Sequence, residues 1–315
     1  MSQPTRSLEQ PVSGPEPLAA ELVRSVSAGT VVRCREPLAR RTTLRVGGPS
    51  DLYVEPALEP DLAVVLSFCR ARALPWFVLG RGSNLLVKDD GFRGVVVCLA
   101  QPGFCRIEVS GCLLRCGAGA RLKDVATEAR RQGLAGLEFL AGIPGSIGGA
   151  LRLNAGAMGG STFEAVESLR MMDCHGQVRE CPGGEMQAGY RHCPALKGQI
   201  ALSAVLRGRP ESRERIEQRL EQFSRKRWRS QPAAPSAGCA FKNPAALPAG
   251  KLIDELGLKG LRVGGASVSL QHANFIVNDG RATARDILEL IALIQERART
   301  ERGIELETEV EIIGE

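Results

Sequence analysis

Leu140-Ala-Gly-Ile-Pro-Gly-Ser-Ile-Gly-Gly-Ala150, followed almost at once by Asn154-Ala-Gly-Ala-Met-Gly-Gly160, is the stretch on which the fold turns. Of the 36 glycines in the chain, nine lie between Gly133 and Gly160. Glycine allows φ > 0 and lets a ligand come close to the main chain. A flexible linker is the plain alternative, but linkers lack residues such as Leu140, Ile143, Ile147, Leu151 and Leu153. Two glycine-dense loops in one unit suggest a long ligand with a diphosphate and a flat ring, pressed against backbone.

A third loop lies upstream. Gly80-Arg-Gly-Ser-Asn84 separates the apolar runs Trp76-Phe-Val-Leu79 and Leu85-Leu-Val87. Its backbone N–H groups can turn inward as an anion-binding nest, with Ser83 and Asn84 adding side-chain donors. It can equally be a tight hairpin turn. The dinucleotide fingerprint is not met, because no third glycine follows at the right spacing and a strand, not a helix, comes next.

Downstream, Pro235-Ser-Ala-Gly-Cys-Ala-Phe-Lys-Asn-Pro244 places one thiol, Cys239, after a glycine and before Lys242 and Asn243. Prolines stiffen both ends. A ligand-facing thiol and a buried free cysteine in a surface loop both fit. Gly189-Tyr-Arg-His-Cys193 sets Arg191 beside Tyr190; the Arg fork can hold a carboxylate or simply lie on the surface. The last segment alternates, with Leu306, Val310 and Ile312 on one face and Glu305, Glu307, Glu309 and Glu311 on the other. Pattern alone does not single out one glutamate from a solvated edge.

Composition narrows the classes. With 315 residues, 43% hydrophobic and 24% charged, the chain is an ordinary soluble one of two or three domains. Aromatics are only 4%, too few for base-stacking platforms. The net charge of +6 suits a phosphate-bearing ligand. The run Arg225-Lys-Arg-Trp-Arg229 reads as the solvated end of a helix and has no second basic stripe, so no nucleic-acid partner is expected. The ten cysteines form no Cys-x-x-Cys and the three histidines are scattered, so no metal site is expected. No signal peptide or membrane span is read. Free thiols in a reducing cytoplasm are the simplest account.

Periodicity and punctuation predict a Pro/Ser/Gly-rich disordered tail over residues 1–16. A mixed helix and strand region follows to about 209, and a smaller α+β region covers 210–315. The final strand is expected over residues 304–313.

Taken together, these stretches resemble the UDP-N-acetylenolpyruvoylglucosamine reductase family. Thr42-Thr-Leu-Arg-Val-Gly-Gly48, the three glycine loops, Tyr190-Arg191, Pro235 to Pro244, His272-Ala-Asn-Phe-Ile-Val-Asn278 and Leu306-Glu-Thr-Glu-Val310 occur in the family's order over about residues 30–314. The resemblance implies an α+β fold: a two-lobed FAD-binding domain of the vanillyl-alcohol-oxidase type (17–209) plus a smaller C-terminal substrate domain (210–315). It implies non-covalent FAD, held by Gly80, Arg81, Gly82, Ser83, Asn84, Leu85, Gly142, Ile143, Pro144, Gly145, Ser146, Gly148, Gly149, Asn154, Ala155 and Gly156. It implies NADPH as reductant and a UDP-sugar whose enolpyruvyl group is reduced during peptidoglycan precursor synthesis, in a cytoplasmic monomer.

By the same resemblance Arg191 and Glu309 stabilise the reduced intermediate and Cys239 protonates it, where many members carry serine. Tyr190, Arg229, Lys242 and Asn243 are the implied substrate contacts. No tyrosine follows Tyr190, which places the chain with the smaller, lidless class. Met158, Arg152-Leu153, Cys193 and Arg41 depart from the family pattern. Another oxidase on the same FAD module would explain the glycine loops but not Cys239, Lys242, Asn243 and Glu309 together. A non-catalytic flavoprotein is the third reading.

Overall fold

A computed structural model describes residues 14–315. Most of the expected disordered tail lies outside the described residues. Its last part does not, because a helix starts at Pro15 and runs to Ser25. Proline suits the first turn of a helix, where its missing N–H costs nothing.

The first lobe is a four-stranded sheet in the order Val31–Pro37, Pro49–Glu55, Phe92–Cys98, Trp76–Leu79. The last three are mutually parallel and the first is an antiparallel edge. The two-residue period decides which core each side chain joins. Leu52, Val54, Val95 and Val97 pack with Leu62, Val65 and Leu66 of the helix Glu59–Ala71. Tyr53, Val96 and Cys98 turn to the other face and pack with Leu79 and Leu85.

The second lobe is a five-stranded antiparallel sheet in the order Val178–Pro182, Val166–Asp173, Gln199–Arg207, Leu113–Gly117, Ile107–Ser110. The helix Arg213–Ser230 is capped by Ser212, whose hydroxyl accepts from Arg215 N–H. It lies on the 3-10 segment Glu138–Gly142 and the helix Leu122–Arg131. Arg219 Nε donates to the buried Glu138 carboxylate at 2.8 Å. By packing, therefore, this helix sits with the second lobe, although it follows residue 210.

The C-terminal unit is an antiparallel sheet in the order Ser236–Cys239, Phe275–Asn278, Ala266–Val268, Arg262–Val263. Helices Ala249–Glu255 and Ala284–Arg302 cover it with Leu252, Ile253, Ile287, Leu290 and Ile294. Hydrogen bonds dock it on the first lobe. Thr43 Oγ1 donates to Ser236 O at 2.7 Å, Asn278 Nδ2 donates to Leu44 O at 2.9 Å, and Asp89 accepts Ala284 N–H at 2.9 Å.

The chain then returns to its beginning. Glu311–Ile313 pairs in parallel with Leu85–Val87, Glu311 opposite Leu85. Gly80–Asn84 is thus a crossover between two sheets, and the hairpin alternative falls away. The expected strand over 304–313 shrinks to Glu311–Ile313, with only an isolated bridge between Phe241 and Thr308 before it.

Candidate active site

Three loops from three places in the chain converge on one cleft of about 1480 Å³. Their contact is measurable at the glycines. A Cβ on Gly80 would meet Ser146 Oγ at 3.0 Å, so any side chain there presses on the second loop. Gly145 stands 3.8 Å from Ser83 Oγ, measured from where its Cβ would be, and Gly238 stands 4.0 Å from Ser83 O. A Cβ on Gly142, by contrast, meets nothing within 4 Å. That open backbone faces the cleft, and it is the space a flat ring or diphosphate would take. Thr42 Oγ1, on the same wall, is buried without a partner among the described residues. A long phosphate-bearing cofactor fits this lining.

Not every expected cofactor residue faces the cleft. Gly80, Arg81, Gly82, Ser83, Asn84, Leu85, Gly142, Ile143, Pro144, Gly145, Ser146, Gly149, Ala155 and Gly156 line it; Gly148 and Asn154 do not. Gly148 is packed on Ala118. Asn154, at φ 40°, spends its side chain on Gly189 O and Phe163 N–H. It ties the glycine segment to the turn that carries Arg191.

Arg191 sits at φ 56° in a tight turn closed by Gly189 N–H to His192 O at 2.8 Å. Left-handed backbone at a non-glycine residue costs roughly 1–3 kcal/mol and persists where the surroundings impose it. Here it presents the guanidinium to the cleft. Arg191 Nε lies 2.6 Å from Glu309 Oε1 in a close ion pair of poor hydrogen-bond geometry. The guanidinium carries five N–H donors, so the pair leaves others for a third party.

Cys239 completes the cluster from the end of the strand Ser236–Cys239. Burial pushes its thiol up to about 11; the Glu309 charge adds to this and Arg191 opposes it. Burial likewise pushes the Glu309 carboxyl up, with Arg191 and Lys242 pulling it back. The arrangement therefore holds a protonated thiol, a cation fork and a desolvated carboxylate beside glycine-lined space. Such a set can bind a carboxylate, stabilise negative charge growing next to it, and deliver one proton.

The structure places the expected substrate contacts outside the cleft lining. Arg229 does not reach the cleft; it opens on a separate depression with Gln218, Gln222 and Arg225. Residues 218, 222, 225 and 229 form one helical face, and Leu220, Phe223, Ser224 and Arg227 form another, which lines the cleft. Arg227 is the residue the sequence reading missed. It is half-buried, donates to the Gly142 carbonyl, and burial works against its charge. Tyr190 is 60% exposed, its ring 5.3 Å from the Arg191 guanidinium, and is not in the lining. Lys242 pairs with Glu307, and Asn243 Oδ1 accepts Ala249 N–H at the start of a helix. Neither lines the cleft.

Two further charged residues line the cleft. Glu311 is not simply solvated: it pairs with Arg152 at 2.7 Å, and both line the cleft. Arg41 lies 4.5 Å from the Tyr53 ring centroid and pairs with Glu36 and Glu55. Its charge is largely spent within the protein. All ten cysteines are free, and no cluster of metal-ligating side chains occurs among the described residues.

Known proteins share this architecture. Residues 231–313 match the family model for the C-terminal domain of UDP-N-acetylenolpyruvoylglucosamine reductase, and residues 50–182 match an FAD binding domain. The reductase of Pelobacter propionicus is 44% identical over 282 residues, covering 89% of this chain and 95% of its own length. That of Geobacter sulfurreducens is 42% identical over 301 residues, covering 95% and 98%. The crystal structure of the Thermus caldophilus reductase superposes with a TM-score of 0.79 at 40% identity, covering 90% of this chain and 99% of that one.

Proposed function

Because the chain belongs to the UDP-N-acetylenolpyruvoylglucosamine reductase family, FAD-dependent oxidoreductases of peptidoglycan synthesis, we propose that Arg191, Glu309 and Cys239 are the groups that carry its reduction step. One observation supports this most directly: the three meet in the same cleft as the glycine loops, although they come from three separate segments.

Residues Gly80–Leu85 and Gly142–Ser146 would hold FAD, which when bound supplies hydride taken from NADPH. The acceptor is the terminal carbon of the enolpyruvyl alkene on the UDP-sugar. Hydride arrival leaves negative charge on the carbon next to the substrate carboxylate. Arg191 is permanently charged, and its fork has N–H donors beyond the one beside Glu309, so it can follow that charge onto the carboxylate oxygens. Glu309 keeps the fork in place from the opposite side.

The Cys239 S–H then breaks and a C–H bond forms at the carbon bearing the charge. The thiol suits the task because it is not ionised beforehand. A group held at about 11 keeps its proton at neutral pH, and the thiolate it leaves regains one from water. Arg227, without a carboxylate partner among the described residues, is the candidate grip on a substrate or cofactor phosphate. The cleft is complete within one chain, in keeping with a monomer, and the free thiols fit a reducing cytoplasm.

The test is anaerobic spectroscopy of the purified protein. NADPH should bleach a flavin spectrum, and the enolpyruvyl UDP-sugar should restore it. A flavin that bleaches but is not reoxidised by that substrate would leave a flavoprotein of another kind.

A further inference from the structure

Glu309 acts from a segment with no strand ladder to hold it. Apart from an isolated bridge between Thr308 and Phe241, with Lys242 N–H donating to Glu307 O at 2.9 Å, residues 304–310 are irregular, and a strand ladder begins only at Glu311. Discrete contacts fix the segment instead. Glu309 N–H donates to Ala240 O at 2.8 Å, next to the thiol strand. The Glu309 carbonyl accepts from the side-chain amide of Asn84, Nδ2 to O 3.0 Å. Two residues on, Glu311 N–H donates to the backbone carbonyl of the same Asn84 at 3.1 Å. Asn84 therefore grips the segment twice, once with its side chain and once with its main chain.

We propose that Asn84 is a positioning residue for Glu309: its amide replaces the missing strand partner and sets where the carboxylate stands relative to Arg191 and Cys239. Main-chain carbonyls need donors, and in a regular strand the neighbour supplies them. At Glu309 the neighbour on this side is a crossover loop, whose backbone leaves the first-lobe sheet after Leu79 and joins the Glu311–Ile313 strand only at Leu85. A side chain has to span the gap. Asparagine supplies a neutral N–H donor at that reach. Aspartate would set carboxylate oxygens against a carbonyl, and alanine would leave it unpaired. Asn84 also lines the cleft, so the loop that faces the cofactor and the segment that carries the carboxylate are one mechanical unit.

The inference rests on the role of Glu309 proposed above, and the experiment keeps the two apart. Asn84→Ala is made alone and with Glu309→Gln. FAD content and both half-reactions are measured on the holoenzyme by stopped flow. Cys239 alkylation by iodoacetamide is followed on the apoprotein by peptide mapping. Asn84 lies in the loop that would hold FAD, so bleaching by NADPH is measured in every variant as the reference. Relative to bleaching, Asn84→Ala should slow reoxidation by the enolpyruvyl substrate about 10- to 100-fold, the loss that follows when a catalytic group is misplaced by about 1 Å. That loss should vanish in the Glu309→Gln background, because both changes act through one group. Cys239 should be alkylated faster as the carboxylate leaves its side. Asn84→Ser, which keeps a donor on a shorter arm, should fall between.

A loss of full size in the Glu309→Gln background, equal slowing of both half-reactions, or unchanged Cys239 reactivity would each overturn the proposal. If the variant loses FAD, the apoprotein alkylation decides alone. A silent Glu309→Gln would instead remove Glu309 from the chemistry, and alkylation would still report whether Asn84 holds the carboxylate beside the thiol.

Discussion

Replacing Cys239 by serine and by alanine separates a proton donor from a packing group. Both substitutes are small, so loss of volume alone would treat them alike. A serine hydroxyl can still donate a proton, whereas alanine cannot. General-acid contributions are typically about 10²–10⁴-fold, so Cys239→Ala should slow flavin reoxidation by the enolpyruvyl substrate by at least that range. Bleaching of the flavin by NADPH needs no proton from this thiol and should stay near wild type in both variants.

The structure adds a pH signature. The thiol stands at about 11 against an ordinary 9.0, chiefly because it is buried. The donating form is the protonated one, so raising the value protects activity on the alkaline side. At pH 9 an ordinary thiol would be half ionised, whereas one at 11 is about 1% ionised. The substrate half-reaction of the wild type should therefore stay level through pH 9 and fall only as pH approaches 11. In Cys239→Ser that alkaline limb should disappear, because the hydroxyl does not titrate there. Stopped-flow traces of both half-reactions from pH 7 to about 11 decide the matter. An alanine variant that turns over normally, or one slowed equally in both halves, refutes the assignment. A wild-type limb centred near 9 refutes the part played by burial and Glu309.

Two further outcomes are expected. Gly82→Val should abolish FAD retention, read as flavin-to-protein ratio after gel filtration. Gly82 sits at φ 61°, and a Cβ there would lie 2.3 Å from Arg41 O, so the loop must leave its seat; full occupancy in a folded variant would sink the idea. Glu311→Gln should differ from Glu305→Gln, because Glu311 pairs with Arg152 in the cleft and Glu305 is exposed. The pair is partly solvated, so the effect on substrate KM should be modest, about 0.2–1 kcal/mol or at most roughly fivefold. Identical kinetics for the two variants would mean the Arg152–Glu311 pair has no bearing on the cleft.

How far the sequence could be read depended on whether local information was enough. Trp76–Leu79 and Leu85–Val87 are short apolar runs bounded by glycine and charge, and both are strands at those limits. Their partners were not legible. That Leu85–Val87 pairs with the last strand of the chain is a non-local fact, and without it Gly80–Asn84 remains either a nest or a hairpin. Val31–Pro37 escaped notice because it is an edge strand whose Arg33 and Arg35 are exposed and whose valines are only half-buried. The pair Arg262–Val263 and Ala266–Val268 is interrupted by two glycines and is too short to show a period. The helix Arg213–Ser230 falls by sequence position within the region expected to form the C-terminal unit, 210–315. Packing places it with the second lobe through Phe223 and Arg219.

The site shows the same division more sharply. Alternation put Glu305, Glu307, Glu309 and Glu311 on one face as equals, which holds only if the segment is a strand. It is one from Glu311 onward. Before that, each glutamate meets what its own backbone bonds allow: Glu305 meets water, Glu307 meets Lys242, and Glu309 meets Arg191. The choice of Glu309 is made by Ala240 on one side and Asn84 on the other, two residues with no sequence relation to it. The arginines are a different case, because a local rule was available. Arg227 and Arg229 are two positions apart on a helix, about 200° around its axis, so at most one can face the cleft. The spacing from Leu220 through Phe223 and Ser224 to Arg227 points to Arg227. A basic run at a helix end therefore has to be resolved by helical face before any member of it is assigned to a ligand.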